Sequence, residues 1–309
     1  MEPYQENEEA SFEHFPVADA IDHEILMHRD AHFGGLFQEM LNYYSQNGKG
    51  IQAEFSMERI ERLFQLEKEA KQNLAALFLT ASEMQKVADA REAYRILKGI
   101  YHVKNPKSSH PRLIADLILA EDEEAEEEIG AIAAEKGTIV KALIDLLRNE
   151  QFHDPLFPGY GQSPSLAVRC LGRIGDKQAI ISLFEAIGEG DFFADDLILD
   201  ALKSIGQSAK EFLLRVMAGH PINEDNEKAL IALIAFKEDP AVAEACFELL
   251  KQSDFQKNPF LSTYLILSCE GLQDPVRREE FKRQADQAAP QQKRDMQAII
   301  HEWEVTSGR

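Results

Sequence analysis

The sequence predicts an all-α protein. Residues 106–309 read as an α–α superhelix, a solenoid of stacked helix pairs. Residues 18–105 read as a helical N-terminal region, either divergent repeats or a cap, behind a flexible acidic stretch at 1–17. Three observations carry this. An apolar pattern recurs every 31 residues in the C-terminal half. Glycine, aspartate and proline stand where paired helices should stop and start. No segment alternates apolar and polar residues with the period of two that a half-buried strand requires.

The repeat is seen in "VRCLGRIGD" (168–176), "LDALKSIGQ" (199–207) and "LIALIAFKE" (230–238), and a further step of 31 reaches "LSTYLIL" (261–267). Val168, Leu199, Leu230 and Leu261 share one position. Leu171, Leu202, Leu233 and Tyr264 share the next, and Ile174, Ile205, Phe236 and Leu267 the third. A spacing of three places each trio on one helix face. Cys170, Ala201 and Ala232 keep a small side chain beside that face, where a neighbouring helix can approach.

Each copy continues into a turn and a second helix. Gly175 and Gly206 are expected to end first helices, because glycine enters the left-handed conformation without a Cβ clash. Asp176 and Ser208 are expected as N-caps, and Asp239-Pro240 and Asp274-Pro275 as cap-plus-first-residue pairs. The second helices carry Ile180, Leu183, Phe184 and Ile187, then Phe212, Leu213 and Val216, then Val242, Cys246, Leu249 and Leu250. A unit of this size cannot bury its apolar face alone, so copies must stack.

"VRCLGRIGDKQAIISL" (168–183) resembles the HEAT-like repeat of the phycobilisome-lyase type. Val168, Arg169, Leu171, Gly172, Ile174, Gly175, Asp176, Ala179, Ile180 and Leu183 match that pattern in order. The later copies lose the arginine, and the copy at 230 loses both glycines. The resemblance extends, more weakly, to about residue 285. It implies a fold and a mode of stacking. It implies no lyase activity, since repeats of this kind serve many functions.

Upstream, "EEAEEEIGAIAAEKGTIVKALIDLLRN" (123–149) reads as another helix pair broken at Gly137. Segments 90–104 and 111–120 read as a pair around Asn105-Pro106, and 55–87 is strongly helical. Residues 18–46 read as two helices broken near Gly34-Gly35, with a turn at Asn47-Gly48-Lys49-Gly50. No 31-residue register is found before about residue 105.

Hydrophobic residues make up 44% of the chain and charged residues 28%, a balance that supports a packed core. The net charge of −21 argues against a nucleic-acid or anionic-membrane surface, which would need clustered Lys and Arg. It does not name a partner and favours neutral or basic ones. Cys170, Cys246 and Cys269 lie far apart in apolar helical contexts and read as buried reduced thiols. "MEPYQENEEASFEHF" lacks the basic and apolar regions of a secretory signal, and no apolar run approaches the ~20 residues of a membrane span. These points together predict a cytoplasmic protein.

Chemistry-bearing motifs are few. "HEILMHRDAHFGG" (23–35) gathers three histidines. On a helix Glu24, His28 and His32 share a face, and an i,i+4 histidine pair can hold one metal ion. Glu24 and His32 stand about 12 Å apart along the axis, so a third ligand must come from elsewhere. His102, His110 and His153 are the available candidates. Deoxyhypusine hydroxylases are HEAT-repeat enzymes whose di-iron centre uses repeated His-Glu dipeptides. Here His23-Glu24 and His301-Glu302 lie at opposite ends and outside the repeat, so that activity is not implied. The acidic run "EDEEAEEE" (121–128) lacks the spaced ligands and glycine bend of a calcium loop and reads as a solvated helix start.

"FHDPLFPGYGQSP" (152–164) interrupts the repeat, and its Phe157 and Tyr160 have no counterpart in the other copies. Inserted loops often carry binding residues. The expected function is therefore a non-enzymatic scaffold that binds a protein partner, without a cofactor. Phe157, Tyr160, Asp176, Lys177, Glu211 and Glu244 are the candidate contact residues. The competing expectation is a metal-dependent enzyme or metal-binding protein centred on Glu24, His28 and His32.

Overall fold

The computed structural model describes residues 18–46, 52–104, 106–121, 124–189, 192–252, 255 and 258–307. The regular structure among the described residues is all helical. The stretch 1–17 and the expected turn at 47–50 lie outside them. Two compact units divide the chain. The first takes the described part of 1–105 together with Asp154–Gly161; the second takes Pro106–His153 and the residues from Gln162 onward.

The first unit contains α1 (Ala20–His32), α2 (Phe37–Ser45), α3 (Met57–Ala70), α4 (Leu74–Phe78) and α5 (Ala81–Ile100). Asp19 begins α1 in a capping box: its carboxylate accepts from the Asp22 N–H at 2.9 Å. Gly34 and Gly35, at φ +61° and +80°, turn the chain out of α1 toward α2. Helix α1 packs on α3, α4 and α5. Ile25, Leu26, Phe37, Met40, Ile60, Leu63 and Leu74 form the core between the first four helices.

The segment 55–87 is three helices, not one run. Lys71 at φ +53° stops α3, and Asn73 caps α4 by accepting from the Ala75 N–H at 2.8 Å. Buried Arg29 ties this break to α1. Its guanidinium donates to Glu67 at 2.6 Å, Asn73 at 3.1 Å and Asp30 at 2.7 Å, and it lies 4.5 Å from the Phe37 ring centre.

The second unit contains α6 (His110–Leu119), α7 (Glu126–Ala134), α8 (Val140–Leu147), α9 (Ser163–Ile174), α10 (Ile180–Glu185), α11 (Phe192–Ile205) and α12 (Gln207–Met217). It continues with α13 (Glu224–Leu233), α14 (Pro240–Leu250), α15 (Pro259–Leu267), α16 (Pro275–Gln287) and α17 (Pro290–Ser307). Helices pack on near neighbours in sequence: α8 on α9, α9 on α11, α12 on α13 and α14, α13 on α15, and α15 on α17. Leu171, Leu202 and Leu233 are fully buried, whereas Leu267 at the third repeat position is exposed.

Small residues permit the closest approach. A Cβ built on Gly172 of α9 would stand 2.9 Å from Ala201 Cα of α11. Gly175 ends α9 at φ +68°, and Asp176 accepts from the Gln178 N–H at 2.9 Å. Asp239 and Asp274 cap α14 and α16 with proline at the start of each helix. The expected cap at Ser208 is corrected. Helix α12 already begins at Gln207, with Gly206 in the capping position at φ +78°, so Ser208 sits inside the first turn.

Polar ties join one pair to the next. Lys210 meets Asp239 at 2.5 Å, Lys237 meets Glu270 at 2.7 Å and Arg277 meets Glu244 at 2.8 Å. The Trp303 indole N–H donates to the Glu270 carbonyl at 2.7 Å. The chain separations of these partners run from 29 to 33 residues, close to the repeat length.

Candidate functional site

The densest gathering of chemistry-bearing side chains is in the first unit, where α1 meets Asp154–Gly161. Ile25, Leu26, His28 and Arg29 turn toward the unit interior, while Glu24 stays exposed. His28 is 2% exposed and His32 is partly buried, so the pair faces the interior rather than flanking the packed face. Their ring centres stand 4.3 Å apart, with the planes tilted 48°.

Aromatic rings surround them. Phe55, Phe33 and Tyr44 lie 5.4, 5.7 and 6.3 Å from His28 by ring centres. Tyr94 lies 5.4 Å from His32, and Tyr160 lies 4.8 Å from His32 and 5.7 Å from His28. Tyr160 arrives on a sharply bent backbone. Gly159, Tyr160 and Gly161 all take positive φ, +86°, +49° and +80°. A tyrosine in that region costs energy and persists only where its surroundings hold it. Leu156 and Phe157 supply that hold by packing on Val87 and Ala90 of α5, and Lys86 forms an ion pair with Asp154.

Neither His28 Nε2 nor His32 Nε2 has a hydrogen-bond partner among the described residues, and both atoms are buried. Burial pushes the His28 imidazole well below its ordinary range, and the nearby His32 pushes it further. Burial likewise lowers His32 to about 4, opposed in part by a hydrogen bond to the Leu156 backbone. Both rings are therefore neutral near pH 7. Two neutral imidazoles with open Nε2 atoms can accept a proton donor or ligate a cation.

His102 is exposed, and three further histidines are engaged elsewhere. His23 Nδ1 meets Glu83 at 2.9 Å; the Thr80 backbone N–H, then this bond and the Thr80 hydroxyl, hold the Glu83 carboxyl down at about 2. His110 lies 3.6 Å from Glu135, and His153 bonds the Leu147 carbonyl at 2.9 Å. Among the described residues no three His, Cys, Asp or Glu side chains gather as metal ligands, so Glu24 does not complete a site with the histidine pair. Glu24, named as a candidate ligand with the pair, is exposed while His28 is buried.

The expected contact residues divide. Phe157 and Tyr160 are 4% and 8% exposed and belong to the packing just described, so as placed they do not offer a contact surface. Asp176 caps a turn, and Glu244 is half-buried and paired with Arg277. Lys177 and Glu211 are exposed, Glu211 accepting from Gln207 at 2.6 Å. Tyr44, Phe55, Tyr94 and Leu156 were not expected at a site. The one signal pointing to them is the Gly-Tyr-Gly triplet, which marks a bent backbone but not the surface it packs on.

All three cysteines are free and buried. Burial raises the Cys170 and Cys246 thiols to about 12 and lifts Cys269 well above its ordinary range, which leaves them inert as nucleophiles near neutral pH. No described helix is long and apolar enough to cross a membrane. Compared with protein-family models, curated proteins and solved structures, the chain matches none.

Proposed function

We propose that the second unit is a HEAT-like repeat solenoid that serves as a non-enzymatic scaffold in the cytoplasm, binding a basic protein through its repeat surface. The observation that carries this reading is the ladder of ties between successive helix pairs at separations of 29 to 33 residues. Elements that contact chiefly their sequence neighbours leave a long surface free for a partner. The net charge of −21 supplies long-range attraction for a positively charged one. Free buried cysteines accord with a reducing compartment. Lys177 and Glu211 remain candidate contacts because they are exposed.

The test uses the full chain, immobilised in native lysate and cross-linked. The proposal expects a stoichiometric partner whose retention weakens as salt rises from 50 to 500 mM, whose cross-links fall on residues 163–287, and which Glu211→Lys binds less tightly. Recovery of no stoichiometric partner at any salt concentration, or cross-links confined to the first unit, overturns it.

A further inference from the structure

We infer that α15 is a homodimer interface, its outer face of Phe260, Tyr264 and Leu267 seated against the same face of a second copy of this chain.

Helix α15 is apolar on both sides. Asn258 starts it by accepting from the Phe260 N–H at 3.1 Å, with Pro259 in the first turn. Leu261, Leu265 and Ile266 turn inward and are fully buried. Phe260, Tyr264 and Leu267 follow one another at steps of four and three, so they share the opposite face. Phe260 and Leu267 are 42% and 38% exposed, and Tyr264 is half-buried. The Phe260 and Tyr264 ring centres lie 4.7 Å apart. No charged residue occurs in the helix. A helix that is apolar all round belongs in a core, yet α15 has one side open.

The repeat register shows that this opening is peculiar to the copy at α15. One step of 31 back, Phe260 and Tyr264 correspond to Ala229 and Leu233; two steps back, to Ile198 and Leu202. All four are buried. Positions that the inner copies cover with their own chain therefore stand uncovered here. Two more exposed apolar residues follow closely in sequence, Val276 at the start of α16 and Val305 near the end of α17. Among the described residues of the second unit, Ile181 is the only other large apolar side chain so exposed.

Charge chooses the occupant. Residues 251–309 hold nine Lys and Arg against nine Asp and Glu, so the net charge of −21 lies wholly in residues 1–250. Two copies of so acidic a chain repel wherever their acidic stretches meet, and the neutral stretch around α15 is where they can touch at least electrostatic cost. A basic partner is drawn to the acidic residues and gains nothing from an uncharged stripe. The rim suits a like surface. Asp295 of α17 lies beside the stripe, accepting from the Thr263 hydroxyl at 3.4 Å, and exposed Arg294 precedes it. A two-fold interface sets one patch against itself, so a rim bearing both signs can pair with its own copy.

The test uses purified full-length protein in sedimentation equilibrium over about 1–200 µM, the range of a modest interface. Each series is run at about 50 and 500 mM salt. The proposal expects a concentration-dependent dimer that tightens as salt screens the net charge, the reverse of the salt dependence of a basic partner. It expects Phe260→Glu and Leu267→Glu each to weaken dimerisation by at least about 10-fold, because each brings an unpaired carboxylate into the contact. Ile181→Glu, at an exposed apolar position elsewhere in the unit, is expected to leave it unchanged. Thermal melting shows whether each variant folds. Where a glutamate variant does not, hydrogen exchange of the wild type on dilution decides: protection lost in α15 supports the inference, and loss confined to other helices overturns it. A chain that stays monomeric at every concentration and salt overturns it and leaves the stripe to a different partner. So do a dimer that salt weakens, folded glutamate variants that dimerise like wild type, or an equal loss in Ile181→Glu.

Discussion

Gly172 lies against Ala201 so closely that the missing Cβ would stand 2.9 Å from the Ala201 Cα. The obstacle is backbone, which cannot swing aside as a long side chain would. Alanine at 172 would gain roughly 1 kcal/mol of helix propensity and lose about 1–3 kcal/mol to overpacking. Gly172→Ala is therefore expected to destabilise the protein by up to about 2 kcal/mol in urea unfolding. An unchanged midpoint would show that α9 and α11 do not meet this closely.

Arg29 carries a second prediction. Its side chain is fully buried and is held by Glu67, Asp30 and Asn73, so its loss strands the Glu67 carboxylate beside the α3–α4 break. Arg29→Met is expected to cost about 3 kcal/mol or more. Arg29→Lys should recover only part of this, because an ammonium cannot reproduce the planar fork. Equal stability of the lysine variant and the wild type in the same unfolding assay would contradict the arrangement.

The histidine pair makes stability depend on pH. Both rings have folded-state pKa values below the ordinary 6.5, His28 well below and His32 at about 4. The unfolded chain therefore binds more protons than the folded chain between these values and 6.5. Linkage then requires stability to be complete above about pH 6.5 and to fall as pH drops toward 4. Melting temperature against pH checks this. The slope should be steeper in wild type than in the double variant His28→Leu/His32→Leu, and equal slopes would contradict the neutral buried pair.

Much of the fold was legible because it is written in local chemistry. The period of Leu171, Leu202 and Leu233 located buried positions. Gly175, Asp239-Pro240 and Asp274-Pro275 located helix ends, since caps act within a few residues. Ser208 misled because Gly206 alone makes the turn between α11 and α12, leaving no separate capping residue. The candidate site was only half legible. The i,i+4 spacing joined His28 to His32, but the rings around them come from residues distant in sequence, among them Tyr44, Phe55 and Tyr160. Phe157 and Tyr160 looked like exposed insertion residues for the same reason: the contacts that bury them leave no periodic trace.

Helices of the second unit contact chiefly their near neighbours in sequence, the arrangement on which the proposed scaffold rests. Native-state hydrogen exchange of Gly172→Ala against wild type tests it most directly. The account predicts that protection falls most in α8, α9 and α11, less in α12 and α13, and least in α15 to α17. An equal loss across every helix of the unit would contradict it.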